Sequence, residues 1–158
     1  MGKDQSNSQD FYQPQPTPTP TPQPEPKLPD PVQPPLPDIS WYNWALSKVG
    51  TVEWSNPGLE NPEIVDCFRY TSYHATSDEV PWCAAFICKA LEVNGYKSTH
   101  NAGAQSYDNF GVRSEIKKGA IVTFRWPNGG RNVALATGLA TDTTIQCLGG
   151  NQSNSVRI

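Results

Sequence analysis

The stretch from Asp78 to Val93 reads DEVPWCAAFICKALEV, and it decides the fold. From Ala84 onward its apolar side chains fall on every side of a helix rather than on one stripe. A helix that is apolar around its circumference is surrounded by protein. Because Gly95 follows as a typical stop signal, the pattern predicts a buried central helix over 81–93.

Cys83 falls in the first turn of this helix. Unpaired backbone N–H groups and the helix dipole favour an anion there, so we expect a thiol pKa below its ordinary value of about 8.5. The same N–H groups could stabilise an oxyanion formed by attack on a carbonyl. From the residues alone, a reactive thiol and an inert buried thiol remain equally open interpretations.

The flanking sequence predicts helices first and strands afterwards. Ser40 is a suitable N-cap for a helix over 41–49, and Asn61 with Pro62 and Glu63 indicates the start of a second helix. After Gly119 the chain becomes β-prone, with turn residues between its strands. We therefore expect an α+β fold in which N-terminal helices pack on a small antiparallel sheet with strands over 120–126, 132–138 and 143–148.

The first 38 residues differ in composition from the rest. They hold 12 of the 16 prolines, and their two lysines and five acids give a net charge of −3. Proline-rich sequence favours extended polyproline II geometry. We expect an extended arm over 1–38, serving as a spacer or docking on a protein partner, and one domain over 39–158.

Composition also excludes several partners and cofactors. Residues 39–158 hold ten basic and ten acidic side chains, so a nucleic-acid partner is not expected. The chain has no apolar run of membrane-spanning length and no apolar segment near its start, so neither membrane insertion nor a signal peptide is expected. The cysteine spacing matches no zinc motif, and we expect no metal or other cofactor. The cysteines are Cys67, Cys83, Cys88 and Cys147.

Several motifs resemble those of one enzyme family. The chain from Trp44 to Ile158 is similar to the papain-like cysteine peptidoglycan hydrolases of the NlpC and CHAP type, in the branch with a PWCAAF motif. The matching segments are Trp44-Ala45, 50–53 (GTVE), 61–64 (NPEI), 78–86 (DEVPWCAAF), 119–124 (GAIVTF), 133–138 (VALATG) and 148–152 (LGGNQ). The resemblance implies a papain-like fold, with Cys83 as nucleophile attacking an amide of the cell wall and Asn151 as the polar third residue.

The position of the catalytic base departs from the family pattern. Relatives read His-Val-Gly at the start of the second strand, where this chain has Asn132 before Val133. An amide side chain has no basic nitrogen and cannot take the thiol proton. The chain has two histidines, His74 and His100, and both fall in predicted loops. Each is a solvent-exposed loop residue unless its loop folds over Cys83.

Two functions remain open from this pattern. In the first, the domain is catalytically impaired and serves as a cell-wall-binding or structural module, tethered by its arm in a phage virion or surface assembly. In the alternative it is an active, endolysin-like amidase or endopeptidase that uses Cys83 with His100 or His74 as base. Both imply peptidoglycan or its peptide stems as partner. They also imply a location in a phage virion, in the bacterial cytoplasm, or at the wall after release.

Overall fold

The computed structural model describes residues 38–56 and 58–158. It confirms the α+β class, with three α-helices and one three-stranded antiparallel sheet in the described chain. The predicted arm lies outside the described residues except for Asp38, whose carboxylate accepts hydrogen bonds from Ser40 and from the Tyr96 hydroxyl. The elements are α1 (Ser40–Ser47), α2 (Pro62–Val65) running into a 3₁₀ turn (Asp66–Tyr70), α3 (Cys83–Glu92), a second 3₁₀ turn (Ala104–Tyr107), β1 (Ile121–Arg125), β2 (Arg131–Ala140) and β3 (Ile145–Leu148).

The helix starts agree only in part with their predicted caps. At α2, the Asn61 side chain accepts a 2.9 Å hydrogen bond from the Glu63 N–H, as its cap pattern predicts. At α1, the expected Ser40 cap is wrong because Ser40 is already helical and Ile39 occupies the cap position. The Asp38 carboxylate accepts the Ser40 N–H at 2.9 Å, so an acid two residues earlier satisfies that donor.

Helix α3 forms the centre of the core. All its residues are buried except Lys89 and Glu92, as its nearly continuous apolar pattern predicts. The ring of Phe86 packs 5.4 Å from Trp44 and 6.0 Å from Trp82, measured between centroids. Burying side chains of this size stabilises a fold by about 1.5–3 kcal/mol each. The start of α3, which carries Cys83, is therefore fixed by packing along the whole helix.

The sheet has the order β1-β2-β3, with β2 in the middle. Asn132 pairs with Phe124 of β1, and Leu135 pairs with Leu148 of β3. From Val133 to Ala136 every side chain of β2 is buried, and Val133 and Leu135 join the core cluster that contains α3. This packing places the beginning of β2 beside the beginning of α3. Within 38–56 and 58–158, no helix is both long and apolar enough to cross a bilayer.

Candidate functional site

An open groove of about 590 Å³ lies at the start of α3. Three residues predicted from the sequence, Cys83, Asn132 and Asn151, all line it. They come from different elements: α3, β2 and the loop after β3. The full lining consists of Pro81, Cys83, Trp126, Arg131, Asn132, Asn151, Gln152, Ser153, Arg157 and Ile158.

The Cys83 thiol is nearly enclosed, with only 8% of the residue exposed. Burial raises the pKa of the Cys83 thiol, and hydrogen bonds from the backbone N–H groups of Val133, Ala84 and Cys83 itself offset this only in part. The lowered pKa expected from the helix start is therefore wrong in sign, because loss of solvent outweighs the nearby dipoles. A thiol in this environment is neutral at pH 7.

Asn132, near the start of β2, lines the same groove as this thiol. It is half-buried, lines the groove, and directly precedes Val133, whose N–H faces the sulfur. A basic side chain at this position would border the same groove as the Cys83 thiol. The Asn132 amide cannot accept the thiol proton, so this position supplies no base.

Asn151 is held by a carboxylate that belongs to a distant part of the chain. Its Nδ2 donates to Glu53 Oε1 at 3.2 Å, and the Trp82 indole N–H donates to the same oxygen at 2.7 Å. Burial raises the pKa of Glu53, against the effect of the Trp82 hydrogen bond, and the charges of Glu79 and Asp78 raise it further. No sequence pattern indicated this contact, and Glu53 appeared only within the GTVE segment of the resemblance.

A glycine allows the Asn151 loop to approach this cluster. A Cβ on Gly150 would lie 2.3 Å from Cζ3 of the Trp82 ring, well inside contact distance. Asn151 itself adopts a left-handed backbone with φ of 56°. Because Gly150 has no side chain, the backbone of this loop packs directly on the Trp82 ring, and the Asn151 amide reaches Glu53.

Asp78 anchors the loop that carries Glu53. It is fully buried, and its Oδ2 accepts the backbone N–H of Asn61 at 2.9 Å and of Trp54 at 3.0 Å. Burial alone would raise the pKa of Asp78, but these hydrogen bonds hold it below the ordinary value. Asp78 therefore joins the segment before α3 to the loop between Trp54 and Asn61. A third contact reinforces this link, because the Glu60 carboxylate of the same loop accepts the Asp78 N–H at 2.7 Å.

The two histidines lie elsewhere. His100 Nδ1 is 3.2 Å from Glu92 Oε1, at the opposite end of α3 from Cys83. A ten-residue helix is about 15 Å long. His74 lines a separate depression with Asp66 and Arg69. Both histidines are among the described residues, and neither lines the Cys83 groove.

The groove is basic at its rim. Arg131 and Arg157 line it, and no Asp or Glu side chain of the described chain does. The Arg131 guanidinium lies 2.5 Å from Asp108 Oδ2, which also contacts Arg125. Trp126 is half-exposed and stacks parallel to Phe124 with 6.0 Å between ring centroids. These residues could contact a planar or anionic ligand, a feature that the sequence patterns did not indicate.

In the described part of the chain, no three His, Cys, Asp or Glu side chains are grouped closely enough to hold an ion. All four cysteines are free and buried.

Comparison with protein-family models, with curated proteins and with solved structures found no match to this chain. The chain forms an α+β domain with a groove lined by a buried thiol and two asparagines.

Proposed function

We propose that this chain is a papain-like domain of the peptidoglycan-hydrolase type whose groove binds cell-wall peptides but hydrolyses them poorly. One observation carries this proposal: Cys83, Asn132 and Asn151 share a groove, as nucleophile, base and third residue would, while both imidazoles lie outside it. The domain then acts as a wall-binding or structural module. We place it in a phage virion or surface assembly, tethered by the Pro-rich arm.

The thiol chemistry supports poor turnover. Attack on an amide needs the thiolate, yet burial raises the pKa of Cys83. The leaving amine also needs a proton, and Asn132 cannot shuttle one. General acid–base help is worth about 10²–10⁴ in rate, so hydrolysis without it is slow.

The active alternative requires a different arrangement. His100 would have to leave Glu92 and travel from the far end of α3, or His74 would have to leave its own depression. The backbone N–H groups around the sulfur remain suited to stabilising an oxyanion. The site therefore lacks a base rather than all of its catalytic features, which makes the proposal testable by restoring one residue.

The test measures binding and hydrolysis separately on purified sacculi. The full chain should co-sediment with sacculi and release no more muropeptide than its Cys83→Ala variant. Asn132→His should raise release by about 10²–10⁴. Asn109→His is the matched control, since it adds an imidazole at an exposed position outside the groove.

Two results would contradict the proposal, and a third would contradict its explanation by a missing base. Release by the wild type that Cys83→Ala abolishes would establish an active enzyme. Failure to co-sediment would remove the wall-binding role. If Asn132→His releases no more than Asn109→His, more than the base is missing from the site.

A further inference from the structure

The Cys83 groove presents positive charge without side-chain acids. Its charged lining side chains are Arg131 and Arg157, although residues 39–158 carry equal numbers of acidic and basic groups. Glu53 is turned toward Trp82 and Asn151 and does not line the groove, and Asp108, which pairs with Arg131, also lies outside the lining. Asp108 therefore compensates the charge of Arg131, whereas no described acid pairs with Arg157.

Both arginines are anchored near the groove. Asp108 holds the Arg131 guanidinium at 2.5 Å and leaves its side chain 31% exposed. Arg157 forms backbone hydrogen bonds in both directions with Gly149, at 3.1 and 3.2 Å, just before the loop that carries Asn151. Its side chain is exposed and has no ion-pair partner within the described residues. An arginine with a fixed backbone and a free guanidinium is suited to bind a carboxylate in a bidentate manner.

We propose that the groove takes acidic peptides, with Arg157 binding a free carboxylate of the ligand at the rim that Arg131, paired with Asp108, also lines. The inference rests on the proposed function in that it specifies which wall peptides the site prefers. Stems with free carboxylates bind, and stems whose carboxylates are amidated bind weakly. Trp126, half-exposed beside Arg131 in the lining, supplies an apolar face for the peptide backbone.

The experiment compares two matched ligands by calorimetry. One is the synthetic stem tetrapeptide L-Ala-γ-D-Glu-L-Lys-D-Ala with both carboxylates free, and the other is its diamide. The full chain should bind the acid about tenfold more tightly than the diamide. Arg157→Gln should erase that preference by weakening the acid alone, and Arg157→Lys should restore only part of it because the fork geometry is lost.

Arg113→Gln is the matched control. It removes the same charge from an exposed arginine that lines a different groove, so it reports the long-range field alone. Equal binding of acid and diamide, binding of neither, or an equal loss in Arg113→Gln and Arg157→Gln would each overturn the inference. Sacculus co-sedimentation separates the two proposals. Sacculus binding without acid preference defeats only the inference, whereas acid-selective peptide binding without sacculus binding defeats only the wall-binding function.

Discussion

Asn151 donates a 3.2 Å hydrogen bond to Glu53, a residue 98 positions earlier in the chain. The carboxylate oxygen that accepts it also accepts the Trp82 indole N–H, so one acid joins the loop after β3 to the residue that precedes Cys83. The Asn151 amide is thereby directed at Glu53. We infer that the main role of Asn151 is to hold the wall of the groove in place, and that this role does not depend on the ligand.

Removing the Glu53 carboxylate should destabilise the domain. Glu53→Ala leaves the N–H of the fully buried Trp82 without its partner, and an unsatisfied buried donor costs about 1–3 kcal/mol. We expect a loss of this size in the free energy of unfolding, measured by urea titration. Glu115→Ala, at an exposed acid, should change it by less than about 0.5 kcal/mol. Equal effects of the two variants would show that the Glu53 cluster contributes nothing.

Asp78 should make stability depend on pH. Because the folded pKa of Asp78 is lowered, its contribution is present above the unfolded value of about 3.9 and is lost as pH falls through the folded pKa. Asp78→Asn should therefore destabilise the domain near neutral pH and differ less from the wild type in acid. Urea midpoints across pH measure this, with exposed Asp142→Asn as control. A wild-type advantage that grows in acid would contradict the assignment.

Gly150 should tolerate no side chain. The added methyl of Gly150→Ala would overlap the Trp82 ring, and overpacking of a core costs about 1–3 kcal/mol. Thermal unfolding should show a clear loss of stability for this variant. Gly103→Ala is the control, since its methyl would meet only the flexible Gln105 side chain. A Gly150→Ala protein as stable as Gly103→Ala would mean that the loop carrying Asn151 is not packed against Trp82.

Local patterns predicted most of the fold and only part of the site. The apolar run of α3 and the turn residues between strands are local signals, so the helix and the sheet followed from them. The resemblance predicted Cys83, Asn132 and Asn151 as site residues, and in the structure all three line one groove. The contact between Asn151 and Glu53 depends on tertiary packing, which no local spacing encodes. The sign of the Cys83 pKa shift was mispredicted for the same reason, because burial of the thiol is a property of the assembled core.

The central claim is that Cys83 lies in a formed groove without a neighbouring base. The pH profile of Cys83 alkylation by iodoacetamide tests this claim most directly. Peptide-resolved mass spectrometry separates Cys83 from the other buried cysteines, such as Cys67, whose pKa burial raises to about 12. In the wild type we expect the rate to keep rising beyond the ordinary thiol pKa of about 8.5, whereas Asn132→His should acquire fast alkylation near neutral pH. A wild-type rate that already levels off below about pH 7 would reveal a thiolate stabilised by a cationic partner and would contradict the account.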